Sequence, residues 1–309
     1  MDAFRPARAR VGLADRSQMP SNSPVQRPDL LRRWLVLGRV SNVPTVWSNC
    51  LAGCVLGGGA GFGRLFWFSI AATLLYTGGM YLNDAFDIEF DRQHRKERPI
   101  PAGKIGLHTV WTAGIAALAV GFVMAAVLGR VTAVLSLLLI ISILVYDAVH
   151  KVVLFSPVLM ALCRFFLFLA AASIGVEGVT GESVWAALVL SAYVIGLSYV
   201  ARSESTRGAL KYWPCYLMAG PLLLAWLMNQ GSYKFTSLVL SFVLVLWVIR
   251  CLRTTFWSAE KNIGRTVSGL LAGIVLVDLL ATLGGNSLGL IFLVFFLLSL
   301  FFQRFIPAT

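Results

Sequence analysis

Polar and apolar positions alternate along this chain in long blocks, not at strand or heptad spacing. Apolar runs lie near 41–60, 65–83, 109–128, 131–146, 157–176, 183–201, 212–229, 235–250, 267–283 and 287–303. Each approaches the roughly 20 residues needed to cross a hydrocarbon core. Inside a bilayer no water satisfies the backbone, so such runs predict helices. The pattern predicts an all-α, polytopic membrane bundle of nine to ten transmembrane helices, the last pair a hairpin that need not fully cross. The polar block 1–38 reads as a cytoplasmic arm, with an interfacial helix over Leu30 to Leu37, and 39–309 as the membrane domain.

Composition excludes a soluble protein. Hydrophobic residues make up 58% and charged residues 13%, against roughly 25% charged in soluble domains. The net charge of +12 does not point to nucleic acid, because the charges sit in short blocks between apolar runs. With ten spans, 22 of the 26 Lys and Arg fall in alternate segments on one side and three on the other, with Arg164 inside a span. That bias places both termini on the cytoplasmic side. It predicts a multi-pass integral membrane protein, of bacterial inner-membrane type, with its site opening to the cytoplasm. No apolar stretch follows Met1, so the arm is not read as a secretory signal. The five cysteines form no CxxC and read as small buried hydrophobes.

The second apolar run ends in an acidic stretch, Asn83-Asp84-Ala85-Phe86-Asp87-Ile88-Glu89-Phe90-Asp91. Asn83, Asp87 and Asp91 recur every four residues and share one helix face, with Asp84 at its edge. Like charges at that spacing repel, so a cation must compensate. Oxygen-only ligands suit Mg²⁺, which is commonly held by one or two carboxylates plus substrate phosphates. Arg92, Arg95, Lys96, Arg98 and Lys104 follow at once, the charge that a diphosphate attracts.

Asn83–Asp91 resembles the NDxxDxxxD motif of the UbiA superfamily of intramembrane prenyltransferases. Arg98-Pro99-Ile100-Pro101-Ala102-Gly103 is similar to the RPIPxG segment that follows it there. The resemblance implies an α-helical fold and a cavity open sideways to lipid. It also implies Mg²⁺-assisted ionisation of a prenyl diphosphate and transfer of the allylic group to an acceptor. Asn83, Asp84, Asp87 and Asp91 then hold Mg²⁺, and Asp87 and Asp91 are catalytic. Tyr146 to Lys151 resembles the family's YxxxKR-like region, which makes Lys151 a phosphate contact beside Arg98. With Met160 to Arg164 it is also similar to an EboC-like branch.

The family's second acidic motif falls where this chain reads Arg202-Ser203-Glu204-Ser205-Thr206-Arg207. Glu204 alone remains acidic, so a conventional second Mg²⁺ site is not expected. Arg202 and Glu204 are the candidate catalytic residues there, with Arg202 forking onto the diphosphate in place of a second ion. The alternative is a loop ion-pair set. Arg164, inside a span, is expected to face the bundle interior and the substrate. Asp278 is a second intramembrane charge, with Arg250 or Lys261 as partner, or a capped polar pocket. Phe86, Tyr146, Phe165, Phe168, Tyr193 and Tyr199 are candidate walls around the cation.

Three functions remain open on these residues. The first is transfer to an acceptor that the sequence does not name. The second is a terpene cyclase of the same fold, acting on the prenyl diphosphate alone. The third is a lipid-binding or transport relative that has lost catalysis.

Overall fold

The computed structural model describes residues 28–202, 212–228, 233–258, 261–282 and 286–308. Among these residues all regular structure is helical. A short amphipathic helix, α1 (Pro28–Leu37), leads into α2 (Val43–Leu56), α3 (Phe62–Phe86) and its short extension α4 (Ile88–His94). Then follow α5 (Leu107–Leu128), α6 (Arg130–Val149), α7 (Ser156–Ala172) and α8 (Gly181–Arg202). The chain continues through α9 (Trp213–Leu217), α10 (Gly220–Met228), α11 (Lys234–Phe256), α12 (Ile263–Thr282) and α13 (Asn286–Gln303).

Each apolar run has become a helix or a pair of helices. Six of them, α3, α5, α6, α8, α11 and α12, are long and apolar enough to cross a membrane. The expected nine to ten is therefore not reached on length. α7, Trp213–Leu227 and Leu288–Gln303 are shorter apolar helices, and α2 has 14 residues. The run at 212–229 is divided at Met218–Ala219, before Pro221. Proline has no N–H for the preceding turn, so it starts a helix rather than continuing one.

Small residues bring the helices together. A Cβ on Gly78 would lie 3.0 Å from the Gly114 carbonyl, so α3 and α5 pack backbone against backbone. A Cβ on Gly175 would lie 2.1 Å from the Gly57 carbonyl. At that end Val176 N–H donates to Gly59 O and Glu177 N–H to Gly57 O, both at 2.9 Å. These bonds tie the α2–α3 turn to the α7–α8 turn. At the opposite end Asn42 Nδ2 donates to Ala308 O at 3.0 Å, and Ser41 Oγ to Pro307 O. The segment after α13 thus rests on the turn before α2.

Large apolar side chains such as Val127, Phe235 and Leu290 remain exposed along the outer helix faces. In a soluble protein such a surface would aggregate; here it is the lipid-facing band. Cys50, Cys54 and Cys251 are buried, as expected of small hydrophobes, while Cys163 and Cys215 are partly buried. Residues 28–37 form a helix over the stretch Leu30 to Leu37 where one was expected, and residues 1–27 lie outside the described residues.

Candidate active site

The acidic face sits where α3 passes into α4. Asp87 links the two helices at φ −79° and ψ 0°, so the axis bends there. The hydrogen-bond ladder survives the bend, with Asp87 N–H on Asn83 O at 3.0 Å and Asp91 N–H on Asp87 O at 2.9 Å. The acids therefore keep a common side although the helix is not one straight rod. Asn83, Asp84, Asp87 and Asp91 are all buried.

Cations from three parts of the chain, Arg39, Arg98 and Lys151, converge on them with the His150 imidazole. Arg98 Nη1 lies 3.2 Å from Asp84 Oδ1 and 2.9 Å from Asp91 Oδ2. Arg39 Nη2 lies 3.5 Å from Asp84 Oδ1. Lys151 Nζ lies 2.7 Å and His150 Nε2 3.4 Å from Asp87 Oδ1. Asn83 Nδ2 donates to Asp147 Oδ1 at 3.0 Å. The repulsion expected along the acidic face is relieved by this ring of partners.

Each cation is held by local structure. Arg98 opens a tight loop in which Ala102 N–H bonds Arg98 O and Lys104 N–H bonds Pro99 O, both at 3.0 Å. Gly103 turns that loop with φ +67°, a conformation open to glycine. Ile100 and Ile105 anchor it in an apolar pocket with Leu37, Ala85, Ile88 and Val110. Lys151 also sits 4.1 Å above the Phe90 ring, and His150 stacks on Tyr146. Arg39 has φ +43° and ψ +48°, the left-handed region. It is the one non-glycine residue with positive φ among the described residues. Side chains rarely adopt that region without compensation. Here Tyr76 Oη and Asn42 N–H both donate to the Arg39 carbonyl.

Burial favours the neutral form of the Arg39 guanidinium, but Asp84, Tyr76, Tyr146 and Asp87 together outweigh burial and raise the pKa. Burial likewise disfavours the Asp87 carboxylate, but His150 and Lys151 hold it below the usual carboxylate range. Both groups carry their charges at neutral pH. In this cluster the buried carboxylate oxygens Asp91 Oδ1 and Asp147 Oδ2 have no hydrogen-bond partner.

The other sequence candidates lie elsewhere. Arg164 faces the bundle interior as expected, but in a separate polar network. Its Nη1 donates to Asn49 Oδ1 at 2.7 Å, and its Nη2 to Thr45 Oγ1 at 3.0 Å. Asn49 Nδ2 in turn donates to Asp278 Oδ2 at 2.7 Å, and Ser48 Oγ bonds the same oxygen. Asp278 is therefore served by Ser48 and Asn49 with Arg164 behind them, not by Arg250 or Lys261. Those two lie near the ends of α11 and α12, whereas Asp278 is deep within α12. Arg202 Nη1 donates to Val153 O at 2.7 Å, Ser156 Oγ at 2.9 Å and Leu154 O at 3.1 Å. It is directed at the α6–α7 connection. Glu204 lies outside the described residues.

Among the aromatic candidates, Phe168 and Tyr193 are core residues, and Tyr193 Oη donates to Leu270 O. Tyr199 packs on Trp213, Phe165 on Phe166, and Phe86 on Trp111. Tyr146 stays beside the acids through His150. Arg39, His150 and Asp147 are the groups that sequence reasoning undervalued. Arg39 had a signal: it is the last cation before the first apolar run.

A family model described as the UbiA prenyltransferase family matches residues 42–205. The chain belongs to the UbiA prenyltransferase family. The match covers the acidic face, Arg98 and Lys151, and ends at Arg202 and Glu204. The digeranylgeranylglyceryl phosphate synthase of Ignicoccus hospitalis is 32% identical over 102 residues, 33% of each chain. That of Sulfolobus acidocaldarius is 31% identical over 102 residues, 33% of this chain and 37% of the relative. The aligned part thus spans about a third of the length of these relatives. Both organisms' enzymes are archaeal, so they lend nothing to the expected bacterial membrane. An apo UbiA homolog from Aeropyrum pernix K1 superposes with a TM-score of 0.61 at 16% identity, covering 78% of this chain and 96% of that one. A homolog from Archaeoglobus fulgidus bound to DMAPP and Mg²⁺ gives 0.52 at 18% identity, covering 88% and 97%. These likenesses show a UbiA fold.

Among the described residues no three acidic, histidine or cysteine side chains already form a metal cage. The donor set still fits Mg²⁺. It is all oxygen on the acidic face, and Asp91 Oδ1 is buried without a partner. One or two carboxylates suffice when phosphate oxygens complete the shell.

Proposed function

We propose that this UbiA protein is a Mg²⁺-dependent intramembrane prenyltransferase, which takes a prenyl diphosphate and passes its isoprenyl group to an acceptor in the membrane. The observation that carries the reading is the charge-balanced cluster of Asp84, Asp87 and Asp91 with Arg39, Arg98 and Lys151, beside the His150 imidazole. Acids and cations that neutralise one another are each available to the opposite charges of a metal–diphosphate pair. Asn83, Asp84, Asp87 and Asp91 are the residues that would hold Mg²⁺. When bound, Mg²⁺ offsets negative charge on the leaving diphosphate.

Arg98 and Lys151 bind phosphate oxygens and stabilise the charge that grows there as the C–O bond breaks. Arg39, fixed in a strained turn, adds a third cation at the same place. The apolar bundle receives the isoprenoid tail and keeps water from the allylic cation. The acceptor attacks the carbon that the diphosphate leaves. The solved homolog bound to DMAPP and Mg²⁺ and the archaeal digeranylgeranylglyceryl phosphate synthases support this class of donor.

The chain crosses the membrane ten times in this reading, with α9 and α10 as one crossing. The turn before α2 and the segment after α13 then lie on the side of the acidic cluster. The hydrogen bonds from Ser41 and Asn42 to Pro307 and Ala308 support it. The domain boundary at residue 38 is kept in this reading as a proposal, although Leu37 packs with Ala85 and Ile100.

The test is incubation of purified protein with prenyl diphosphates of graded chain length, with and without Mg²⁺ and a membrane lipid extract, read by mass spectrometry. Diphosphate release that requires both Mg²⁺ and extract, with a prenylated lipid product, supports the transferase. A cyclic hydrocarbon or alcohol formed without extract would make it a cyclase. No release under any condition would leave a non-catalytic relative.

A further inference from the structure

Arg202 stands at the last position of α8 and reaches across to the α6–α7 connection, residues 150–155. Its Nη1 takes two main-chain carbonyls and a hydroxyl there, Val153 O, Leu154 O and Ser156 Oγ. The same connection carries His150 and Lys151, whose side chains both meet Asp87. Apolar packing does not hold it in place: Val152 is 86%, Leu154 72% and Phe155 62% exposed. At its N-terminal end, Val153 N–H still bonds Val149 O at 3.0 Å. Lys151 therefore lies within one turn that is fixed to α6 on one side and to Arg202 on the other.

We propose that Arg202 is a positioning residue. It tethers the α6–α7 connection to α8 so that Lys151 is held over Asp87. A carbonyl that has left its helix needs a donor, and a charged donor makes the stronger bond. One guanidinium nitrogen serving three acceptors pulls the connection toward α8 and leaves Lys151 little freedom to turn away. Arg202 then acts on the diphosphate through Lys151 and not by touching it. This inference rests on the prenyl-diphosphate reading of the cluster, but its structural arm is independent of turnover.

The experiment uses the full chain in nanodiscs, as wild type, Arg202→Ala, Arg202→Lys, Lys151→Ala and the double variant Arg202→Ala/Lys151→Ala. Amide hydrogen exchange is followed by mass spectrometry, and kcat and KM are measured from diphosphate release. Arg202→Ala should speed exchange in the peptide covering 150–156 while peptides from α3 and α5 stay unchanged. It should lower kcat/KM about tenfold or more, the usual scale for loss of a supporting group. In Lys151→Ala the further loss from Arg202→Ala should be small, because the two residues act in series. Arg202→Lys should recover part of both losses, since an ammonium still reaches the carbonyls. Unchanged exchange in Arg202→Ala, or losses that multiply in the double variant, would overturn the tether and favour direct contact with the diphosphate. If the wild type releases no diphosphate, the functional reading fails while the exchange measurement still decides the tether.

Discussion

Lys151 and Asp87 meet at 2.7 Å across two different helical segments, with the ammonium lying over the Phe90 ring. A cation from the α6–α7 connection thus closes on an acid from the α3–α4 bend. Asp87 is buried while Lys151 stays partly open to water, and such a pair is stronger than one on a fully open surface. The acids that this pairing satisfies in the free protein are those that the proposed function assigns to Mg²⁺.

Asp87→Asn and Asp91→Asn should each abolish turnover while the protein still inserts and folds. Either change removes a charged oxygen from the donor set, and added Mg²⁺ should rescue only partly. Diphosphate release over a Mg²⁺ titration, together with size-exclusion profiles, checks this. Full activity in both variants would remove the acidic face from the chemistry.

Breaking the buried network should be costly in stability. Arg164→Met leaves buried acceptors on Asn49 and Thr45 without their donor, and a buried polar group left unpaired costs about 1–3 kcal/mol. Asp278→Asn should cost less, because it removes the charge along with its need for a partner. Thermal unfolding in detergent ranks the two. Equal stability for wild type and Arg164→Met would mean that the network contributes nothing.

Acid should weaken the fold through Asp87. Its carboxyl titrates lower in the folded chain than in the unfolded one, because His150 and Lys151 outweigh the effect of burial. The stability it contributes is present above the unfolded value of about 3.9 and is lost as pH falls through the lower folded value. Melting temperatures followed downward from pH 5 should fall less steeply for Asp87→Asn than for wild type. Parallel curves would argue against the pairing.

Both ends of the chain should label from one side of the membrane. Cysteines placed at Ser17 and Phe305 are suitable; Ala308 is buried against Asn42 and is not. In right-side-out vesicles the two sites should react alike with a membrane-impermeant maleimide, read against the wild-type cysteines. Opposite behaviour would mean an odd number of crossings.

The membrane-spanning character and the helical class follow from the sequence alone. Ten long apolar runs leave the backbone no partner but itself, whatever the helices then pack against. The acidic face was legible for a similar reason: Asn83, Asp87 and Asp91 are neighbours by helical geometry, and Arg98 lies only seven residues from Asp91. The tertiary structure decided what sequence separation hides. Lys151 reaches Asp87 across 64 positions, Arg39 reaches Asp84 across 45, and Ser48 and Asn49 bond Asp278 Oδ2 from the far end of the chain. Spacing along one helix carries no information about those contacts, because they depend on how separate helices rotate and slide when they pack. Arg202 illustrates the difference. Its place at the end of α8 is local and readable, but the direction of its guanidinium depends on where the α6–α7 connection comes to rest. Only the folded bundle brings the Val153 and Leu154 carbonyls within reach of its nitrogen.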